Sequence, residues 1–237
     1  MNTVNHNHRL IVRTCSLIAA LQISSILSAG TVSIPGVGSF HQLKVTSYKE
    51  ARFKSVIKQE YDFSCGSAAL ASLLTYHYDD PIDEKTIFEA MYADGDQEKI
   101  NREGFSMLDM KDFLTKRGYR SDGYQIGLDK IQNKAKIPAI TLINTNGYSH
   151  FVIVKGVTPT EVLVADPAQG SRVIEREAFE KGWNGLVFII KSHAVLGRAN
   201  YNKAEEWNVR AKAPFGTALT NKGLAQFSMT LPGPLDF

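Results

Sequence analysis

Gln59-Glu60-Tyr61-Asp62-Phe63-Ser64-Cys65-Gly66-Ser67-Ala68-Ala69-Leu70, continuing as Ala71-Ser72-Leu73-Leu74-Thr75-Tyr76-His77-Tyr78, sets one cysteine at the start of an apolar run rich in alanine and leucine. Ala68, Ala69, Leu70, Ala71, Leu73 and Leu74 are helix formers without β-branching, and Leu70, Leu73 and Leu74 share one face, so the run predicts a helix. Ser64 or Asp62 can cap its start by accepting orphan backbone N–H bonds. Cys65 then lies in the first turn, where unpaired N–H groups and the positive end of the macrodipole favour a thiolate. The alternative is an inert buried cysteine, which cysteine statistics alone would favour. The helix-start position, Gln59 upstream, and a histidine and an aspartate further along weigh against it.

Working outward, Asp79-Asp80-Pro81 stops this helix. A second helix is expected over 83–92, with Ile87, Phe88 and Met91 on one side and Asp94-Gly95-Asp96 as its break. A third starts at the cap residue Ser106, shows Leu108, Met110, Phe113 and Leu114 on its apolar side, and ends at Gly118. The pattern then changes to β. Strands are expected over 119–126, 138–144, 150–157, 161–165, 171–174 and 185–190, with short helices over 128–134 and 176–181. Upstream, Phe53-Lys54-Ser55-Val56-Ile57 reads as a short strand leading into Gln59. Helices first and an antiparallel meander second is an α+β layout.

The flanks read differently. His8, Arg9 and Arg13 precede an apolar middle from Cys15 to Leu27, and Ser28-Ala29-Gly30 supplies small residues for cleavage, so residues 1–30 read as an export signal. The apolar run is too short for a comfortable membrane span, and no other stretch is long enough. Residues 31–54 read as an extended arm, 55–190 as the folded domain, and 191–237 as a polar C-terminal extension with one helix around 204–210. Among 237 residues, 43% are hydrophobic and 22% charged, which supports one good core. Loss of the signal takes away two arginines and no acid, lowering the formal charge from +3 to +1. Nucleic-acid binding then has no electrostatic basis. Cys15 leaves with the signal, so Cys65 is the one thiol of the mature chain and has no internal disulfide partner.

Thiol chemistry needs a base, a group that holds the base, and donors for the oxyanion. His150 opens one strand and Asp166 closes the next. If Thr158-Pro159-Thr160 turns a hairpin, the two ends meet across the ladder, directly or one diagonal step apart. Asp166 can then orient the imidazole and stabilise its charged form. Read locally, Asp166-Pro167 is also a turn starter and His150 a hydrogen-bonded strand-end residue. Gln59 stands close enough before Cys65 for its amide to turn back and donate to an oxyanion beside the Cys65 N–H; on its own it is an ordinary surface glutamine. His77 lies roughly 18 Å along the cysteine helix, too far to be the base, and His41 and His193 lie outside the domain. Tyr148 and Phe151, which flank His150, read as packing residues.

These residues carry a resemblance. Gln59, Asp62-Phe63-Ser64-Cys65-Gly66-Ser67-Ala68-Ala69-Leu70, His150-Phe151-Val152-Ile153-Val154 and Asp166-Pro167-Ala168, in that order, resemble the bacteriocin-processing, double-glycine-type peptidases of the papain-like cysteine peptidase superfamily. The likeness runs over roughly 55–190. It implies a papain-like fold with N-terminal helices packed on a C-terminal antiparallel sheet, a Cys65–His150 pair oriented by Asp166, Gln59 and Cys65 at the oxyanion, and no cofactor. Many members remove leader peptides ending in two glycines and are fused to an exporter; this chain has no exporter membrane domain and no GxxxxGK[ST] loop. Gly104-Phe105-Ser106-Met107-Leu108-Asp109-Met110-Lys111 and the Pro232-Gly233-Pro234-Leu235-Asp236-Phe237 ending are similar to the peptidase-like component of functional-amyloid secretion systems. That similarity implies a periplasmic protein serving biofilm formation, with an amyloid subunit or another secretion-system component as polypeptide partner.

Two other readings use the same residues. An acyltransferase of the transglutaminase or arylamine acetyltransferase kind employs the same trio, although the spacing of Gln59 and Cys65 fits peptidases better. A peptidase fold that only holds an export substrate is the non-enzymatic reading, and the retained nucleophile argues against it. A metal site from Cys65, His150 and Asp166 is a poor fit, because no CxxC or HExxH pairing exists.

Overall fold

A helix that is buried all round sits at the centre of the molecule. In the computed structural model, which describes residues 47–210 except Asp62 and Asn146, every residue from Gly66 to Leu74 of the helix Cys65–His77 is buried. The expected leucine face is therefore only part of its packing surface, as befits an interior helix. Its serines stay inside by bonding backbone: Ser67 donates to the Ser64 carbonyl (2.9 Å), and Ser72 donates to the Ala68 carbonyl (2.7 Å) while accepting the Ile57 N–H (2.8 Å). The expected signal segment and the arm up to Thr46, together with residues 211–237, lie outside the described residues, and the described end of the arm, 47–54, is helical at Tyr48–Arg52 instead of extended, because Ser47 and Glu50 cap it.

Chain order explains the rest. Helix α1 (Tyr48–Arg52) is held by a capping box in which Ser47 and Glu50 satisfy each other's backbone N–H. The strand expected at Phe53–Ile57 does not form: that segment is a run of turns, and Ile57 and Gln59 dock by single bonds, to Ser72 and to the Pro167 carbonyl, instead of a ladder. After α2 (Cys65–His77) come α3 (Glu84–Asp94), capped by Asp83, and α5 (Met107–Lys116), capped by Ser106 with Asp109. Between them the polar segment Gln97–Glu103 forms α4, which the periodicity did not announce because Ile100 is its one buried residue.

Six strands make one antiparallel sheet: β1 (Ser121–Gln125), β2 (Ala139–Thr145), β3 (Tyr148–Val157), β4 (Glu161–Asp166), β5 (Gly170–Glu175) and β6 (Trp183–Ile190), in the order β1-β6-β2-β3-β4-β5. β2 to β5 are the expected meander, and β6 returns between β1 and β2. Helix α2 packs on β2 and β3 on one side and on α3 and α5 on the other, which places the start of α2 beside the central strands. Short helices α6 (Leu128–Lys130, running into a π-helical turn) and α7 (Arg176–Lys181) link strands.

The described part of the C-terminal extension folds back on the domain through α8 (Ala194–Ala199) and a 3-10 turn over Ala204–Val209. Asn200 exchanges two hydrogen bonds with His77, and the Asn202 N–H reaches the Lys155 carbonyl (2.8 Å). The register shift between Val154 and Gly156 marks a bulge at Lys155, whose fully buried ammonium bonds Ser55 Oγ (2.7 Å) and the Glu206 carboxylate. Burial pushes that ammonium below its ordinary pKa, and the Glu206 charge works the other way.

A buried ion left without its partner is costly. Glu206→Gln is therefore expected to lower unfolding free energy by about 3 kcal/mol, read by urea denaturation, and Lys155→Met in the same chain should recover most of the loss.

Candidate active site

The β3–β4 hairpin positions two of the three expected groups. Its turn closes through Thr158 N–H to the Glu161 carbonyl (2.8 Å) and Glu161 N–H to Thr158 Oγ1 (2.9 Å). Ile153 pairs with Ala165, which puts Asp166 opposite Val152 and one diagonal step from His150, on the same face. There His150 Nε2 meets Asp166 Oδ2 at 3.0 Å. Because the carboxylate accepts, Nε2 carries the proton and Nδ1 is the basic nitrogen. Nδ1 is buried with no hydrogen-bond partner. The Tyr148 ring stacks on the imidazole, with centroids 5.7 Å apart and planes 23° from parallel, so Tyr148 covers the histidine as well as packing.

Asp166 is wholly buried. Burial alone would raise its pKa, yet the bonds from His150 and the Ala168 N–H, with the nearby Arg172 charge, hold it below the ordinary value. Its Oδ1 accepts Ala168 N–H (2.9 Å) and Gln169 N–H (3.1 Å), while Oδ2 also accepts Arg172 Nη2 (3.1 Å). The reading of Asp166-Pro167 as a turn starter and as the holder of His150 are both realised by one side chain. Arg172 was missed. Asp166 faces Gly170 across β4 and β5, so an arginine two residues beyond sits one diagonal step from the carboxylate, and pairing those strands is the signal that finds it.

Cys65 reaches this place from α2. Its half-buried thiol lines one groove with Ser149 and Phe151, the residues on either side of His150, and the nearby backbone N–H groups of Phe151 and Gly66 favour its ionised form. Gly66 is itself a fitted position: a Cβ there would stand 3.0 Å from Met110 Cε and 3.1 Å from Phe105 Cβ. The expectation that the helix start lowers the thiol pKa needs correction. Burial pushes the Cys65 thiol above its ordinary value, the Asp166 charge adds to this, and the Phe151 and Gly66 N–H groups offset only part. Nor does the Ser64 side chain cap the helix, because its hydroxyl is engaged with the Tyr61 carbonyl (2.9 Å) and N–H (3.2 Å); Asp62 lies outside the described residues.

Gln59 is tied to the same end of the sheet through its N–H on the Pro167 carbonyl (3.1 Å), while its side-chain amide donates to the Tyr61 carbonyl (3.2 Å). Donation to an oxyanion requires that amide to exchange acceptors. Glu84 supports this approach: buried, it accepts the Glu60 N–H at 3.0 Å. His77 is remote, bonded to Asn200, and burial with the Lys155 charge pushes its pKa down to about 3. His193 is exposed, and His41 lies outside the described residues. Among the described residues, no group of three or more His, Cys, Asp or Glu side chains is placed to hold a metal ion.

A groove of about 350 Å³ opens over Cys65, bordered by Gly104, Phe105, Leu142, Phe151 and Leu186. Gly104, at φ +79°, ends α4 and turns the chain into this wall, a conformation that favours glycine. A thiol, an imidazole nitrogen without a hydrogen-bond partner, a carboxylate bonded to that imidazole and a groove with apolar and charged walls thus belong to one region of the fold.

Comparison with known proteins agrees with this geometry. Residues 53–194 match the Peptidase C39 family. The chain is 39% identical over 181 residues to the probable functional amyloid protease FapD of Pseudomonas aeruginosa, covering 76% of this chain and 80% of that one. It is also 39% identical over 196 residues to the protein of the same description from Pseudomonas fluorescens, covering 81% and 83%. Among solved structures, the peptidase domain of Streptococcus ComA, a bi-functional ABC transporter, superposes with a TM-score of 0.50 at 21% identity, covering 57% of this chain and 96% of that domain. The fold is that of the papain-like peptidase domains.

The lowered Asp166 pKa gives a signed prediction. Stability from its ionised form is complete above the ordinary aspartate value of 3.8 and is lost as pH falls through the lower folded value. The stability difference between the wild type and Asp166→Asn, from urea unfolding, should shrink as pH falls below 3.8.

Proposed function

The chain belongs to the Peptidase C39 family and is a cysteine peptidase, and on that premise we propose that Cys65, His150 and Asp166 form its catalytic triad, acting on an exported polypeptide. The observation that carries this is that Cys65 lines one groove with Ser149 and Phe151, the residues on either side of His150, while the imidazole is held through Nε2 by buried Asp166.

His150 Nδ1 removes the Cys65 proton, and Sγ attacks the peptide carbonyl. The oxyanion accepts the Cys65 backbone N–H and the Gln59 amide, released from Tyr61. As the tetrahedral species collapses, the imidazolium protonates the departing amine, leaving an acyl-enzyme thioester. Water, deprotonated by His150, then attacks the thioester and restores the thiol. Asp166 stabilises the imidazolium throughout. A thiol raised by burial makes the base essential.

The substrate is an amyloid subunit or another component of a functional-amyloid secretion system. This reading draws on the description of the two Pseudomonas relatives, each covered over at least 80% of its length. The export segment read at residues 1–30 places the work in the periplasm, in the service of biofilm formation. A glycine-containing cleavage site comes from the resemblance to double-glycine peptidases.

The test is mass spectrometry of the partner's new N-terminus in cells carrying the wild type or Cys65→Ala. The substitution should lower cleavage on the order of 10³-fold or more while the circular dichroism spectrum stays unchanged. Undiminished cleavage by the folded variant would remove Cys65 as nucleophile.

A further inference from the structure

We propose that Arg172 is a positioning residue for the triad, a cation that shares one oxygen of Asp166 with His150 and thereby fixes the carboxylate against the imidazole and offsets the charge it presents to Cys65. The proposal rests on the catalytic reading above and adds a group to it. Asp166 Oδ1 is satisfied by two backbone N–H groups of the following turn, so neither varies with side-chain chemistry. Oδ2 is different: the imidazole at 3.0 Å and the guanidinium at 3.1 Å divide it.

The two donors reach Oδ2 from opposite sides. His150 comes from β3 and Arg172 from β5, each one diagonal step from Asp166 on the central strand β4. Arg172 is mostly covered, its side chain 24% exposed, and its Nε is buried without a hydrogen-bond partner. A guanidinium placed for stability alone would satisfy that donor, since an orphaned buried N–H lowers stability. Here the arginine engages Asp166 through Nη2 and leaves Nε unpaired.

The electrostatic consequence has a definite sign. Asp166 from β4, Arg172 from β5 and the Tyr148 ring from β3 surround the His150–Asp166 pair, and Cys65 shares its groove with the charged Lys99 and Glu103 of α4. The Asp166 carboxylate disfavours the thiolate of Cys65, and the guanidinium bound to that carboxylate opposes the effect. Removing it leaves a more negative surrounding, so the thiol keeps its proton to higher pH. The arginine thus keeps the thiol ionisable against a burial that pushes it the other way.

Cys65 alkylation by iodoacetamide, followed by peptide mapping across about pH 6 to about pH 12 in the full chain, reads this without knowledge of the substrate. In Arg172→Met the rising limb should move up by about one pH unit. Arg172→Gln, which keeps a neutral donor, should show the same shift and serves where the methionine variant does not fold. Arg172→Lys should hold the limb near the wild-type position. A merely structural role would change the amplitude and leave the limb in place, so an unmoved limb in a folded neutral variant overturns the proposal. His150→Ala separates the two levels: if that change too leaves the limb unmoved, the thiol is not coupled to the imidazole and the catalytic reading itself fails.

Discussion

A carboxylate taken wholly out of water must be met by donors from every side, and Asp166 meets that demand with one strand on each flank. The charge is stable in its lowered-pKa form because the Ala168 and Gln169 N–H groups, the His150 imidazole and the Arg172 guanidinium all point at it. Satisfying it fixes the registers of β3 and β5 against β4. A slip by one residue would turn His150 or Arg172 to the opposite face and leave a buried charge underbonded. The site and the sheet are therefore specified by the same contacts.

The cysteine helix answers a second constraint. Its first two turns come up so close to β3 that a Cβ at Gly66 would stand 3.4 Å from the Phe151 ring, and bulky side chains there would hold the helix away. Gly66, Ser67, Ala68 and Ala69 allow the approach, and the serine among them returns its hydroxyl to the helix backbone. At the far end of the helix, Asn200 clasps His77, and the Lys155–Glu206 pair fastens the adjacent chain. Cys65 and His150 thus ride on a helix and a strand of the core, which the proposed thiol chemistry needs for alignment.

The parts of this architecture that could be read from sequence are those with a local cause. Ser106 followed by Asp109 announces a capped helix, Thr158-Pro159-Thr160 announces a turn, and a hairpin with that turn carries His150 to Asp166. What was illegible depends on partners distant in the chain. Gln97–Glu103 is helical because Ile100 finds the core and Asp96 caps the start, neither of which gives a periodic signal in so polar a segment. Phe53–Ile57 has strand composition, but its Ile57 N–H finds a serine on α2. Arg172 looks like any strand arginine until the turn after Asp166 is closed and β5 is laid alongside.

The thiol itself shows why site chemistry cannot be taken from a helix start alone. The first turn of α2 does present N–H groups to sulfur, as its sequence suggests, but the same packing that creates the groove strips water from the thiol, and Asp166 adds unfavourable charge. Desolvation opposes thiolate formation more strongly than the N–H groups favour it. In the proposed mechanism activation then comes from a proton acceptor, and the acceptor assigned is His150 Nδ1, which is buried without a hydrogen-bond partner. Asp166 has a mixed influence: it holds the imidazole by a hydrogen bond while repelling the thiolate. A cation bound to that carboxylate moderates the repulsion without removing the hydrogen bond, which is the geometry observed at Arg172.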